Sequence, residues 1–235
     1  MYIGGNVKQV ISVIQQKGGV GKTTLAVHLA HEFRAQNPKL RVVIADADPQ
    51  QSALKWITRG QTNGTEGVNA VRVAIDGDGK HLRQEIEAIE ADLVIIDLPP
   101  AIESVSLRAA LYADVILVPV GASALDIEAG QAAIEVCKEA LSLDKSKAYL
   151  IVPSKIRQST AAGRELATVL KTWGPIAQTS VGLRVALADA ATGGQGICTY
   201  APNSPAHLEI TALTTEVTEL LRRKSNATTQ AALAG

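Results

Sequence analysis

Runs of consecutive apolar residues recur along the chain at QVISVI (9–14), RVVIAD (41–46), VRVAI (71–75), DLVIID (92–97), DVILVPV (114–120) and AYLIVPS (148–154), with a weaker one at PIAQTSV (175–181). Between them, segments such as TTLAVHLAHEF (23–33) and IEAGQAAIEVCKEAL (127–141) place apolar residues at helical spacing. A strand that is apolar on adjacent as well as alternate positions must be covered on both faces, and strands that alternate with helices are joined by right-handed crossovers. The pattern predicts an α/β fold: a doubly wound, mostly parallel sheet with helices on both faces. No composition break divides it, so a single domain is expected over residues 1–224, followed by a flexible tail at 225–235.

Sheets of this kind bind ligands at the carboxyl ends of their strands, where the loops leave for the helices. The loops expected there are QQKGGVGKTT (15–24), DADPQQS (46–52), DLPPA (97–101), PVGASALD (119–126) and PSKIRQST (153–160). In the first, Gly18, Gly19, Val20 and Gly21 allow a tight turn whose backbone N–H groups point inward, and a helix starting near Lys22 adds its positive end. Together they suit a polyphosphate. Lys22 would reach the β and γ phosphates, the Thr23 hydroxyl would ligate a bridging Mg2+, and Thr24 would bond a further phosphate oxygen. In DLVIID the apolar run ends in Asp97, the pattern of a strand whose carboxylate holds the hydration shell of that metal, and Pro99 and Pro100 stiffen the loop that follows. Asp46 and Asp48, two residues apart at the end of the second run, project to one side; next to a triphosphate they suit positioning of metal or water.

Composition narrows the function classes. With 23 basic and 23 acidic residues, no global field draws the molecule to nucleic acid or membrane, so any such binding must come from a local patch. Cys137 and Cys198 have neither metal-ligand spacing nor the density of a disulfide scaffold, which fits a reducing cytoplasm and two buried, inert thiols. The start of the chain has no signal-peptide pattern and no apolar run reaches a bilayer span, so an unprocessed, soluble protein is expected. His28, His31, His81 and His207 are scattered, and no nucleophile–base arrangement suggests a second substrate. The nucleotide is the whole expected chemistry.

The generic phosphate-loop pattern G-x-x-x-x-G-K-[ST] fails here because Gln16 stands at its first glycine. The match is to K-G-G-x-G-K-[ST]-T, and with DADPQ and DLPP it resembles the deviant Walker A ATPases of the ParA/MinD family, P-loop NTPases. The resemblance implies that Lys17 is the signature lysine, which crosses a dimer interface to the phosphates of the partner subunit, while Lys22 serves its own ATP. It implies that Asp48 orients the hydrolytic water, which with Lys17 and Lys22 makes the catalytic set, and that Asp46 supports Mg2+ beside Thr23 and Asp97. Pro153, Ser154, Lys155, Val181 and Gly182 are expected to flank the base. Asp126 matches an aspartate of the family, and equally sits where a cap for a helix from Ile127 would be needed.

Within the family, ParA-like members bind DNA without sequence preference, and MinD-like members insert a C-terminal amphipathic helix into the membrane. Here LEITALTTEVTELLRRK (208–224) has an apolar face at Leu213, Val217, Leu220 and Leu221 that packing would use up, so stable membrane insertion is not expected. Lys155, Arg157, Arg164, Lys171, Arg184, Arg222, Arg223 and Lys224 are the DNA candidates; the alternative for such scattered charges is a solvated surface. The resemblance implies a homodimer formed with ATP, weak hydrolysis, a nucleoid-associated location, a cargo such as a plasmid or chromosome, and a ParB-like or cargo-adaptor protein that stimulates hydrolysis. A short ParA without an N-terminal helix-turn-helix fits best. A metabolic or maturation ATPase with the same loop is the other class, and those members generally use interface cysteines.

Overall fold

The computed structural model describes residues 8–75, 77–100 and 103–234, the side chains of residue 103 and of 225–234 excepted. Its strands are β1 (Gln9–Val13), β2 (Val42–Asp46), β3 (Val68–Arg72), β4 (Leu93–Asp97), β5 (Val115–Val120), β6 (Ala148–Ile156) and β7 (Val181–Gly182). Its helices are α1 (Lys22–Gln36), α2 (Ser52–Thr62), α3 (Leu82–Ala88), α4 (Glu103–Tyr112), α5 (Ala124–Leu143), α6 (Ala161–Leu170), α7 (Val185–Gly193), α8 (Ile197–Tyr200) and α9 (Pro205–Ala234). The strands form one parallel sheet in the order β3-β2-β4-β1-β5-β6-β7. The order places β1 in the middle, and the reversal of winding on its two sides opens a crevice at its carboxyl end, where the glycine loop leaves.

The consecutive apolar runs become strands buried on both faces: β2, β4 and β5 are buried at every position. Alternate residues feed two cores. Ile11, Val13, Ile44 and Ile95 pack with α1, α2, α7, α8 and α9; Val10, Ile14, Val43 and Ile96 pack with α3, α4, α5 and α6. The α9 face read as apolar is consumed in this way: Leu213, Val217 and Leu221 are fully buried and Leu220 packs against the same core. No helix among the described residues is long and apolar enough to cross a membrane.

Two elements differ from the pattern. The third strand is Val68–Arg72, upstream of the VRVAI run, because pairing of Val42 with Val68 through Asp46 with Arg72 sets its bounds; Val73 lies beyond the strand in the second core. The seventh keeps only Val181 and Gly182 in the sheet, with a single bridge from Ile176 to Ile151. The backbone of α9 stays helical to Ala234, past Lys224 where the sequence reading closes the domain; the side chains there lie outside the described residues.

Candidate functional site

The first turn of α1 forms as the motif demands. Gly19 and Gly21 adopt φ of +77° and +101°, in the left-handed region that costs a β-carbon-bearing residue most, and the Gly21 carbonyl accepts the first helical bond, from Leu25 N–H. Upstream, Gln15 is buried and donates Nε2 to the Pro119 carbonyl at 3.1 Å while its Oε1 accepts from Gln16 N–H, which pins the loop to the end of β5. Sequence reasoning passed over Gln15, since only the fold brings Pro119 beside it.

The two lysines separate. Lys22 is buried inside the loop and donates Nζ to the Lys17 carbonyl at 3.2 Å; burial pushes its pKa down, opposed by Asp97 and Asp48. Lys17 turns away to the outer side of the loop and forms an ion pair with Asp126 at 2.6 Å, its side chain 32% exposed. Burial raises the Asp126 carboxyl, yet Lys17 and the Ser123 hydroxyl outweigh that and hold it below its ordinary value. The cap of α5 is Ser123, whose Oγ accepts from Asp126 N–H at 3.2 Å; the helix begins at Ala124, so Asp126 stands in its first turn and its carboxylate is free to face Lys17. The helix-cap alternative for Asp126 is thereby corrected.

The three aspartates take different positions. Asp46 is buried with both oxygens engaged, Oδ1 accepting from Asp48 N–H at 3.1 Å and Oδ2 from Leu54 N–H at 2.9 Å, so it fixes the loop and the start of α2. Asp48 is half-exposed, with Oδ1 accepting from Gln50 N–H at 2.8 Å. Asp97 is fully buried, and neither oxygen has a partner of hydrogen-bonding geometry. Burial lifts its pKa to about 7, with the Asp46 charge acting the same way, while the nearby Thr23 hydroxyl and Lys22 pull it back. An orphaned buried carboxylate beside a threonine at the head of a phosphate loop fits a magnesium site. Of the two carboxylates Asp46 and Asp97, the geometry favours Asp97.

This arrangement carries a stability prediction. A carboxyl whose folded pKa lies above its unfolded value costs stability as pH rises from about 4 through about 7, because the unfolded chain releases the proton first. Asp97→Asn removes that cost, so without magnesium the variant should be more stable than the wild type by a few kcal/mol (about 1.4 kcal/mol per pKa unit) above pH 7, with the gain fading towards pH 4. Urea denaturation at pH 8 and pH 4.5 reads it; a variant less stable at pH 8 would contradict the orphaned state of Asp97.

On the far side of β5, residues expected to flank the base do come together. Ser154 pairs with Val181 and Ile156 with Gly182 across β6 and β7, and the irregularity between them puts Lys155 at φ +55°. A bulge of this kind re-aims a side chain: Lys155 reaches across to donate Nζ to the Gly19 carbonyl of the phosphate loop. Val20, Gly21, Thr24, Leu25, Ser154, Lys155, Val181 and Gly182 share one pocket, floored by Leu187, Ile210 and the buried His28. Pro153 stands next to it, paired with Val120. His28 donates Nε2–H to the Leu187 carbonyl and accepts from Ile197 N–H at Nδ1, and burial lowers its pKa to about 4, so it is a neutral structural link from α1 to α7 and α8.

The DNA candidates do not form one patch. Arg157, Arg164 and Arg184 lie near the carboxyl end of the sheet with the phosphate loop, where Arg184 pairs with Glu209 at 2.6 Å and the exposed Lys155 is bonded to the Gly19 carbonyl. Lys171, at the far end of α6, and Arg222, Arg223 and Lys224 lie at the opposite end, where Lys224 pairs with Asp114 just before β5. Of the two cysteines, Cys137 is buried in α5 with its thiol pushed up to about 12, and Cys198 is only partly buried, a difference from the sequence reading.

A central strand, a glycine loop, a helix that opens on an enclosed lysine and an unpaired carboxylate on the adjacent strand define a phosphate-loop nucleotide-binding domain. The model of the CbiA family, the CobQ/CobB/MinD/ParA nucleotide-binding domain, matches residues 11–197, and the chain belongs to that family. Among curated relatives it is 38% identical over 120 residues to the maintenance of carboxysome distribution protein A of Gloeobacter kilaueensis, covering 51% of this chain and 52% of that protein, about half its length. It is 29% identical over 224 residues to the chromosome-partitioning ATPase Soj of Thermus thermophilus, covering 83% of this chain and 89% of that one. Among solved structures, the septum site-determining protein MinD of Pyrococcus horikoshii with Mg-ADP superposes with a TM-score of 0.69 over 93% of this chain and 99% of that one at 14% identity, a likeness of fold.

Proposed function

We propose that the protein is a positioning ATPase of the ParA type. Two subunits pair around two ATP molecules, the paired form holds DNA without sequence preference, and hydrolysis stimulated by a ParB-like or cargo-adaptor partner releases it. The observation that carries this reading is the separation of the two lysines: one is enclosed for the nucleotide of its own subunit, while the other stands outside the loop on Asp126 in a partly exposed ion pair. A partly exposed pair of that kind is worth on the order of 1 kcal/mol, so Lys17 is released at modest cost when a triphosphate of high charge comes within reach. Within the site, Lys22 and the loop amides hold the β and γ phosphates, Asp48 aims the attacking water, and Thr23 and Asp97 hold Mg2+, which would supply charge neutralisation at the γ phosphate.

Relatives named for carboxysome distribution and for chromosome partitioning support a cargo-positioning role on the nucleoid, and the burial of the α9 apolar face favours this over a membrane-bound, MinD-like role. Burial of Cys137 likewise weighs against its use as an interface cysteine of a metabolic or maturation ATPase. Because the net charge is zero, DNA affinity must come from local basic clusters doubled by pairing. Arg157 and Arg164, both exposed, sit nearest the nucleotide end, so they are the first candidates for a contact that depends on ATP. Binding to a random-sequence duplex should require ATP and fall with log salt at a slope of about −0.9 per neutralised phosphate. Arg157→Ala with Arg164→Ala should flatten that slope in fluorescence anisotropy, and binding indifferent to ATP and salt would rule the proposal out.

A further inference from the structure

β7 is the edge of the sheet and has almost no ladder of its own, yet it forms one wall of the pocket beside the phosphate loop. Two carboxylates of α9, seven residues apart on one face, hold it and the segment just before it in place of a strand. Glu216 accepts from the N–H groups of Gln178 and Thr179 at 2.8 and 2.9 Å. Glu209 accepts from Gly182 N–H at 2.9 Å with one oxygen and takes the Arg184 guanidinium at 2.6 Å with the other. Arg184 lies back over Gly182: a β-carbon added there would come within 2.7 Å of Arg184 Nε, so the guanidinium occupies the space a side chain would fill. The pocket it borders is floored by Val20, Leu25, Leu187 and Ile210, and its volume is about 130 Å³. An apolar floor walled by a guanidinium plane suits a flat heteroaromatic ring, since such cations favour the face of a π system.

We infer that Glu209 is a positioning residue for the nucleotide base: through the Gly182 amide and Arg184 it fixes the wall against which the base stacks, and so ties α9 to nucleotide recognition. The inference rests on the nucleotide reading above and concerns the base alone. Glu209→Gln keeps an acceptor for Gly182 N–H but surrenders the charge that holds Arg184; Arg184→Gln removes the guanidinium; Gly182→Ala displaces it.

Isothermal titration of the full chain with ATP and with inorganic tripolyphosphate, both with magnesium, separates base from phosphate. Each of the three variants should weaken ATP about tenfold and leave tripolyphosphate within about twofold, and the Glu209→Gln, Arg184→Gln double variant should be no weaker than either single one. Equal losses for both ligands would reduce Glu209 to a support of the fold and overturn the inference, as would unchanged ATP affinity. A wild type that takes tripolyphosphate as tightly as ATP would overturn it while sparing the phosphate site. A wild type that binds neither would overturn the nucleotide reading, and this inference with it.

Discussion

Lys17→Ala protein should still bind ATP but should no longer pair in its presence, and its partner-stimulated hydrolysis should fall on the order of a hundredfold or more. The reason lies in where each lysine stands. Lys22 remains inside the loop with its amides and Thr23, so the affinity of a single subunit for ATP should fall by less than about tenfold. On the proposed reading, what is lost is the second ammonium, and with it the attraction that would make ATP bound to one subunit a ligand for the next. Lys17→Gln should behave the same way, because it keeps reach and polarity but not charge. Asp126→Ala is the informative companion: it frees Lys17 without removing it, so pairing with ATP should persist or strengthen. Light scattering after gel filtration reads all three, and ATP-dependent dimers of Lys17→Ala would remove the basis of the account.

Asp48→Ala should give the opposite phenotype. A carboxylate that aims the attacking water is needed for hydrolysis and not for grip, and its removal commonly costs 10²–10⁴-fold in rate. Because Asp48 is half-exposed and bonded only locally, to Gln50 N–H, its loss should leave the fold and the buried Asp46 undisturbed. The variant should therefore load ATP, pair, and stay paired, with DNA retained long after the wild type has let go. Single-turnover hydrolysis at the wild-type rate would exclude Asp48 from the reaction.

How far the sequence alone reaches depends on whether a residue acts locally. The shape of the phosphate loop was legible because it is set by neighbours in the chain: Gly19 and Gly21 turn the backbone, Lys22 opens the helix that follows, and Thr23 comes next. Strands buried on both faces were legible for the same reason, as their composition is set by the two cores they feed. The edges were not. β3 is paired on one side only and carries polar Asn69 and exposed Val71, so no apolar run marks its limits. β7 and the segment just before it are held by Glu209 and Glu216, whose relation to them exists only after α9 folds back along the sheet. Lys155 could be assigned to a loop by pattern, but its turn towards Gly19 comes from a bulge that no composition announces. Asp46 and Asp97 looked equivalent in sequence, each an aspartate ending an apolar run, and only the satisfied oxygens of one and the orphaned oxygens of the other tell them apart.

Sedimentation equilibrium of the wild-type chain with magnesium and a non-hydrolysable ATP analogue tests the central claim most directly. The account predicts the mass of two chains with the analogue and of one chain without nucleotide. A single-chain mass at saturating analogue, under conditions where the analogue is shown to be bound, would contradict it.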